Sequence, residues 1–391
     1  MNSPSSNPQS SSKTGDSGIE KPSEEASKIM SAQKHSLLWN IFLTINCMIN
    51  IPIYSMLIGM VIWAILVYIS GPIFRTILVI YFIRCWVNQD PANGGWDEDT
   101  NAPFGILTKI FPNLRWKYRF ACRSNPSFRL MPEYFPMKLI KTVDLPPDRN
   151  YMMLYHPHGV ICMGANCALS TNCCDFEDVF PGIHRSGVTL KMTFCAPFYR
   201  DWLLMMGFIA PNRDLLVKQL TTKEPIRKSI VLLPGGASES MHAHPGVFRL
   251  YLSKRKGFIK VAMETGCSIV PCLGFGENEI FDTLYGMKQE YEEPEGKKDS
   301  GVWKWVKRSV VRIQNETKRM FTFTFPFVTK IVPNRHPVNV VVGKPIHFEK
   351  TLVLDAVEVD KLHAKYCDEV KKLYDQHKAK YGKPNVEIEI L

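Results

Sequence analysis

Tyr151-Met152-Met153-Leu154-Tyr155-His156-Pro157-His158-Gly159 is an apolar run that ends in a pair of histidines set around a proline and closed by a glycine. Consecutive bulky apolar residues without polar alternation fit a strand buried on both faces, and the proline and glycine fit a turn at its carboxyl end. The arrangement recurs. An apolar run at 230–233 leads into Pro234-Gly235-Gly236-Ala237-Ser238-Glu239-Ser240, and another at 268–273 leads into Phe275-Gly276-Glu277-Asn278. Strands are expected at 151–155, 188–194, 229–233, 268–273 and 338–342, and helices at 198–206, 214–221, 257–265 and 360–381. Their interleaving predicts an α/β fold, a sheet with flanking helices, whose ligand crevice lies beyond the carboxyl ends of the strands. Most of the chemically conspicuous residues stand there. No internal repeat is visible.

The whole chain has 391 residues, 45% hydrophobic and 22% charged, which excludes global disorder and a disulfide miniprotein and allows one large or two medium domains. A net charge of +11 favours anionic partners (lipid headgroups, nucleotide-bearing cofactors or nucleic acid) without choosing among them. Eleven cysteines with no CxxC read as reduced, cytosol-facing thiols.

Composition shifts sharply along the chain. Residues 1–34 are rich in Ser, Asn, Pro, Lys and Glu and are expected to be a disordered tail. From Leu37 to Phe74 no charged residue occurs. The segment 35–88 is therefore expected to be a hydrophobic membrane hairpin, transmembrane or re-entrant, broken at Asn50, Pro52 and Gly71-Pro72, with 51–70 long enough to span and 72–87 carrying Arg75 and Arg84. It begins too late and runs too long for a cleaved signal. The competing reading is two buried core helices of a soluble domain. Residues 89–391 then form the cytosol-facing domain, since basic residues flank the hairpin on both sides. Within it, 302–319 places Trp303, Val306, Val310 and Ile313 on one helical face and Lys304, Lys307, Arg308 and Arg312 on another. That pattern fits an interfacial basic helix as well as an ordinary surface helix. Phe321, Phe323, Phe325 and Phe327 follow at strand period, as a core strand or an apolar wall, and the sequon Asn315-Glu316-Thr317 would go unused in the cytosol.

His156 and His158 are candidate general bases, because a neutral imidazole accepts a hydroxyl proton near physiological pH. Gly235 and Gly236 can leave backbone N–H groups open for an oxyanion or a phosphate. Glu239 either orients a histidine or caps a helix. The loop is neither a GxSxG elbow nor a P-loop. His156, His158, His242 and His244 could satisfy zinc by number, but lie in no HExxH or facial-triad context, so no metal is assigned. Arg213 and the Lys254-Arg255-Lys256 cluster before Gly257 are placed to bind an anion, or to be a surface salt bridge and a solvated face. A covalent route would use Cys162, Cys195 or Ser238.

The ordered set Tyr134-Phe135-Pro136, His156-Pro157-His158-Gly159, Gly235-Gly236-x-x-Glu239, Arg255-x-Gly257-Phe258, Val270-Pro271, Phe275-Gly276-Glu277-Asn278 and Val342-Gly343-Lys344-Pro345-Ile346 resembles the type-2 diacylglycerol acyltransferase family, which also holds monoacylglycerol and wax-alcohol acyltransferases. The resemblance covers about 50–385. It implies a glycerolipid-acyltransferase-like sheet in an endoplasmic-reticulum membrane enzyme with access to lipid droplets. Its partners would be acyl-CoA as co-substrate, a diacylglycerol or related acceptor and the bilayer, with no resident cofactor and no nucleic acid. His158, or else His156, is carried over as the base with Glu239 as its acidic partner. Gly235, Gly236, Arg213, Arg255, Lys256, Gly257 and Phe135 are the residues expected to bind substrate. The chain departs from the HxxxxD signature of glycerol-phosphate acyltransferases, since Ile161 and Met163 stand where the Asp would follow His156 or His158. Glu239 is the candidate replacement. A non-catalytic membrane protein that binds neutral lipid and a lipid esterase are the rival classes. Acceptor, acyl-chain preference and a possible homo-oligomer stay open.

Overall fold

The computed structural model describes residues 36–88, 112–221, 227–283 and 328–391, together with Ser309, Arg312 and Glu316, all within one unit, His35–Leu391. The expected tail, most of the basic helix at 302–319 and the phenylalanine run at 321–327 lie outside the described residues.

The principal sheet contains β1 (Met137–Lys141), β2 (Tyr151–His156), β3 (His184–Gly187), β4 (Lys228–Leu232), β6 (Ser268–Phe275) and β7 (Val338–Val342). Their spatial order is β1-β7-β6-β2-β4-β3, parallel throughout except for the antiparallel β6–β7 pair. A parallel two-stranded sheet joins β5 (Phe248–Leu250) to β8 (Ile388–Ile390). Every residue of β2 and β6 is buried, because both faces of the sheet are covered. The pleat divides the core in two. Tyr151, Met153 and Tyr155 of β2 pack on one face with Val270 and Cys272 of β6, and Met152 and Leu154 pack on the other with Ile269 and Leu273.

Helices α5 (Tyr199–Met206), α6 (Arg213–Leu220), α7 (Gly236–Met241), α8 (Gly257–Thr265) and α9 (Ala356–Tyr381) fall within a few residues of the helical reading, apart from the short α7. Their caps explain the boundaries. The Asn212 side chain accepts the Asp214 and Leu215 N–H groups at the start of α6, and Asp355 accepts that of Glu358 at the start of α9. Val359, His363, Tyr366, Val370, Leu373 and Tyr374 make the buried stripe of α9.

The expected strand at 188–194 is a correction. After a single bridge from Val188 to Ile209, the Leu190 carbonyl accepts both N–H and Oγ1–H of Thr193, and the chain coils into the 3-10 turn Lys191–Cys195. The strand is β3 instead, whose polar sequence hid it. Arg185 is buried there because its guanidinium is satisfied by the Leu169 and Thr171 carbonyls and by Glu177 Oε1 at 2.7 Å.

At the amino end stand α1 (Leu37–Asn50), α2 (Pro52–Ile69) and α3 (Pro72–Val87), broken where Pro52 and Gly71-Pro72 were read; α4 (Pro112–Arg123) follows. Helix α2 alone among the described residues is long and apolar enough to cross a membrane, with a mean hydropathy of 2.1 and only 6% of the span buried. Such exposure does not fit two buried core helices of a soluble domain. Trp63 Nε1 donates to the Leu78 carbonyl at 3.1 Å and stacks on Phe82, so α2 and α3 pack as a pair. Arg75 sits in this apolar setting because its guanidinium donates to the Val67, Tyr68 and Ser70 carbonyls at the end of α2. The pair is tied to the α/β domain, where Tyr81 bonds Asp201 and accepts the Phe198 N–H.

Candidate active site

β2 ends at His156, the following peptide to Pro157 is cis, and Gly159 takes φ +59, a left-handed conformation. His158 thereby stands beyond the carboxyl edge of the sheet. Its Nδ1 lies 3.0 Å from the Gly159 carbonyl oxygen. A carbonyl only accepts, so Nδ1 carries the proton and Nε2 keeps its lone pair. Burial lowers the pKa of His158, opposed by the Gly159 carbonyl and the Glu239 charge. The ring is therefore neutral near pH 7, in the form a general base requires.

Glu239 reaches this turn from α7, which begins directly after β4. Its buried carboxylate accepts the His158 backbone N–H on Oε2 at 2.8 Å and the Tyr251 backbone N–H on Oε1 at 3.0 Å. Gly235 is glycine because a Cβ there would overlap this carboxylate. The pairing expected between Glu239 and a catalytic ring thus takes another form. Glu239 fixes the backbone of His158, while the Gly159 carbonyl orients the ring. His156 is fully buried on the α9 face, its Nε2 2.9 Å from the Tyr366 hydroxyl and its Nδ1 3.7 Å from Glu239 Oε1. It supports the turn from beneath and does not line the cavity described below.

A second buried carboxylate grips the other side of the turn. Glu277, just past β6, accepts the Tyr155 hydroxyl (2.6 Å) and the Gly164 N–H (2.8 Å) on Oε2, and the Met163 N–H (2.7 Å) on Oε1. A Cβ on Gly159 would come within 2.6 Å of Glu277 Cγ. Burial pushes the Glu277 carboxyl up to about 7, against the pull of these three hydrogen bonds. The sequence places Phe275-Gly276-Glu277-Asn278 after a strand, and its reading gave Glu277 no role of its own. The signal that reading passed over was an acidic residue directly after a wholly apolar strand.

His158 faces a cavity of about 250 Å³. Pro52, Ile53 and Met56 of α2 form one wall, Val160, Ile161 and Cys162 another, and Gly236, Ala237 and Ser240 a third. The lining is mainly apolar, suited to an acyl chain or a glyceride rather than a sugar or a peptide. Cys162 lines it, but burial followed by the nearby Glu277 pushes its thiol pKa up, and burial does the same for Cys195, so neither is an activated nucleophile. The Ser238 hydroxyl lies 3.5 Å from the Arg255 guanidinium, which is no base.

The other residues singled out from sequence are dispersed. Gly236 reaches the cavity, and Arg255 stands beside Ser238 next to it. Lys256 pairs with Asp360 at 2.6 Å at the start of α8, next to Gly257. Arg213 is a surface ion-pair residue, bound to Glu264 at 2.5 Å. Phe135 is wholly buried in the core, edge-on to Tyr134, and does not line this cavity.

A family model described as "Diacylglycerol acyltransferase" matches residues 115–391, which include the whole of both sheets and the cavity's α/β walls. The chain is 36% identical over 319 residues to "Diacylglycerol O-acyltransferase 2A" of Umbelopsis ramanniana, covering 80% of each chain. It is 34% identical over 268 residues to "2-acylglycerol O-acyltransferase 1" of Homo sapiens, covering 66% of this chain and 74% of that one. Among solved structures, a 1-acyl-sn-glycerophosphate acyltransferase of Thermotoga maritima covers 88% of this chain and 99% of that one at a TM-score of 0.37 and 10% identity, below the level at which a shared fold follows.

Proposed function

The chain belongs to the diacylglycerol acyltransferase family and is an acyltransferase, and we propose that it transfers a fatty acyl group from acyl-CoA directly to the free hydroxyl of diacylglycerol, making triacylglycerol. The observation that carries this reading is the neutral ring of His158. Its proton is held at Nδ1 by the Gly159 carbonyl, and it lines an apolar cavity walled in part by α2. In the proposed reaction Nε2 takes the hydroxyl proton as the oxygen attacks the thioester carbonyl. The tetrahedral oxyanion is stabilised by the N–H groups of Gly235 and Gly236 at the start of α7. Collapse breaks the C–S bond, and the imidazolium returns its proton to the departing CoA thiolate. Arg255, beside the segment that follows β4, is the proposed holder of the CoA phosphates. Lys256, paired with Asp360, and Arg213, paired with Glu264, are not assigned this role.

The helix pair α2–α3 is proposed as a hairpin in the endoplasmic-reticulum membrane, with the α/β domain on the cytosolic side and access to lipid droplets. Exposed apolar side chains along both helices, among them Val61, Ile65, Ile69, Ile73, Ile77 and Ile80, support it. Relatives named for diacylglycerol and for 2-acylglycerol match at similar identity, so monoacylglycerol is the alternative acceptor. Purified protein given oleoyl-CoA with diacylglycerol, monoacylglycerol or hexadecanol separates these acceptors. Triacylglycerol as the main product supports the reading, and diacylglycerol made from monoacylglycerol alone replaces it. Free fatty acid in place of any ester would point to an esterase, and acyl-protein trapped on rapid quenching would point to a covalent route.

A further inference from the structure

A second cavity, of about 330 Å³, lies beside the first between α2 and α5. The two share five lining residues, Pro52, Asn166, Tyr199, Leu203 and Phe208. Three of these are apolar. Asn166 and Tyr199 bring an amide and a phenol into the common wall, and neither side chain has a hydrogen-bond partner among the described residues. A polar group held in an apolar wall is costly to leave unpaired, so such a group without a protein partner points to a ligand or solvent partner. The polar residues elsewhere in this cavity differ. Asn50 Nδ2 donates to Ser127 Oγ at 2.6 Å, and Ser127 Oγ to Asn46 Oδ1 at 2.7 Å.

The local backbone supports a built site. Asn166 sits on the π-helical turn Ala165–Leu169, an uncommon conformation frequent at functional sites. Tyr199 opens α5, and α2 comes against that turn at Gly59, where a Cβ would lie 2.8 Å from the Pro197 carbonyl oxygen. Among the described residues no charged side chain lines the second cavity, which disfavours the phosphates of CoA and suits a neutral lipid.

We propose that Asn166 and Tyr199 form the acyl-acceptor subsite, hydrogen-bonding the ester carbonyls of a neutral glyceride whose chains lie in the second cavity along α2 while its free hydroxyl enters the first cavity towards His158. The inference rests on the acyl-transfer reading above and adds to it a division of labour between the cavities. Specificity for the acceptor then resides in the wall that the two cavities share.

The test uses the full-length protein in detergent micelles, with Tyr199→Phe, Asn166→Leu and the more conservative Asn166→Ser. KM for dioleoylglycerol and for oleoyl-CoA are measured separately, together with labelling by a photoreactive diazirine diacylglycerol. Losing one hydrogen bond to the acceptor is expected to raise its KM about 10-fold in Tyr199→Phe and Asn166→Leu. Asn166→Ser recovers part of that loss, and the oleoyl-CoA KM stays within about twofold. An unchanged acceptor KM, or equal rises for both substrates, overturns the subsite while leaving acyl transfer intact. Should the wild type transfer nothing, the labelling still decides. Label on peptides of α2 or α5 that weakens in Tyr199→Phe keeps the subsite and removes the acyltransferase mechanism, and label that ignores the substitution overturns the subsite.

Discussion

Replacing Glu239 by Gln keeps the shape of the side chain and removes its charge. The carboxylate now serves two backbone donors, His158 N–H at 2.8 Å on Oε2 and Tyr251 N–H at 3.0 Å on Oε1, with His156 Nδ1 3.7 Å from Oε1. An amide has one acceptor oxygen, so one donor must face its NH2 group. The Oε1 position has two nitrogen neighbours and Oε2 one, which favours turning the NH2 towards His158. A hydrogen bond to a charged group contributes about 1.5–3 kcal/mol, and a buried N–H left unpaired costs about 1–3 kcal/mol. The expected loss is therefore about 2 kcal/mol, a fall in melting temperature of roughly 3 °C for a unit of this size. The larger effect is on catalysis. A turn released at the His158 nitrogen no longer aims Nε2, and misplacement by about 1 Å costs on the order of 100-fold in kcat. Triacylglycerol formation at saturating oleoyl-CoA, beside a thermal melt, measures both. Full kcat with an unchanged melt would refute the clamp. Unchanged kcat with a rise in acyl-CoA KM, measured by varying oleoyl-CoA, would reassign Glu239 to binding.

Three further outcomes follow from the same geometry. Glu277 is raised from 4.5 to about 7, so the folded state holds its proton where the unfolded chain has released it. Wild-type stability should therefore fall relative to Glu277→Gln as pH rises from about 4.5 to 7, by about 3 kcal/mol in total, and parallel pH–stability curves for the two proteins would contradict this. Gly235→Ala drives a methyl group into the Glu239 carboxylate and should cost about 1–3 kcal/mol with most of the activity, checked by melting and turnover. Arg213→Ala removes a surface pair whose side chain is 56% exposed, and should change stability by no more than about 0.5 kcal/mol and leave the acyl-CoA KM untouched.

The parts of the fold with strong local pattern were legible in the sequence. β2, β6 and β7 announce themselves as apolar runs bounded by turns, and Pro52 and Gly71-Pro72 break the amino-terminal helices where proline must. β3 was not legible, because its central Arg185 reads as surface and is buried only through carbonyls and an acid supplied by the segment that precedes it in the chain. The short β1, β5 and β8 were missed as well, since edge and two-stranded pairing leaves little periodic signal. For the site, spacing after strands brought His158, Gly236 and Glu239 into one reading, and the structure places them together. Which atom each uses depends on tertiary contact. Neither the role of the Gly159 carbonyl in setting the tautomer nor the position of His156 beneath the turn, against Tyr366, can be read along the chain. Glu277 is the instructive omission: an acid adjoining a buried strand is tolerated only where hydrogen-bond donors meet it, and those donors lie more than a hundred residues earlier.

The central claim is that Nε2 of His158 takes the acceptor proton. Its most direct test is the turnover of oleoyl-CoA and diacylglycerol to triacylglycerol by purified His158→Ala protein against the wild type, with melting curves establishing that both are folded. The account predicts a fall in kcat of at least about 100-fold, the usual scale of general-base catalysis, with the melting temperature preserved. A folded His158→Ala protein that makes triacylglycerol at the wild-type rate would contradict it.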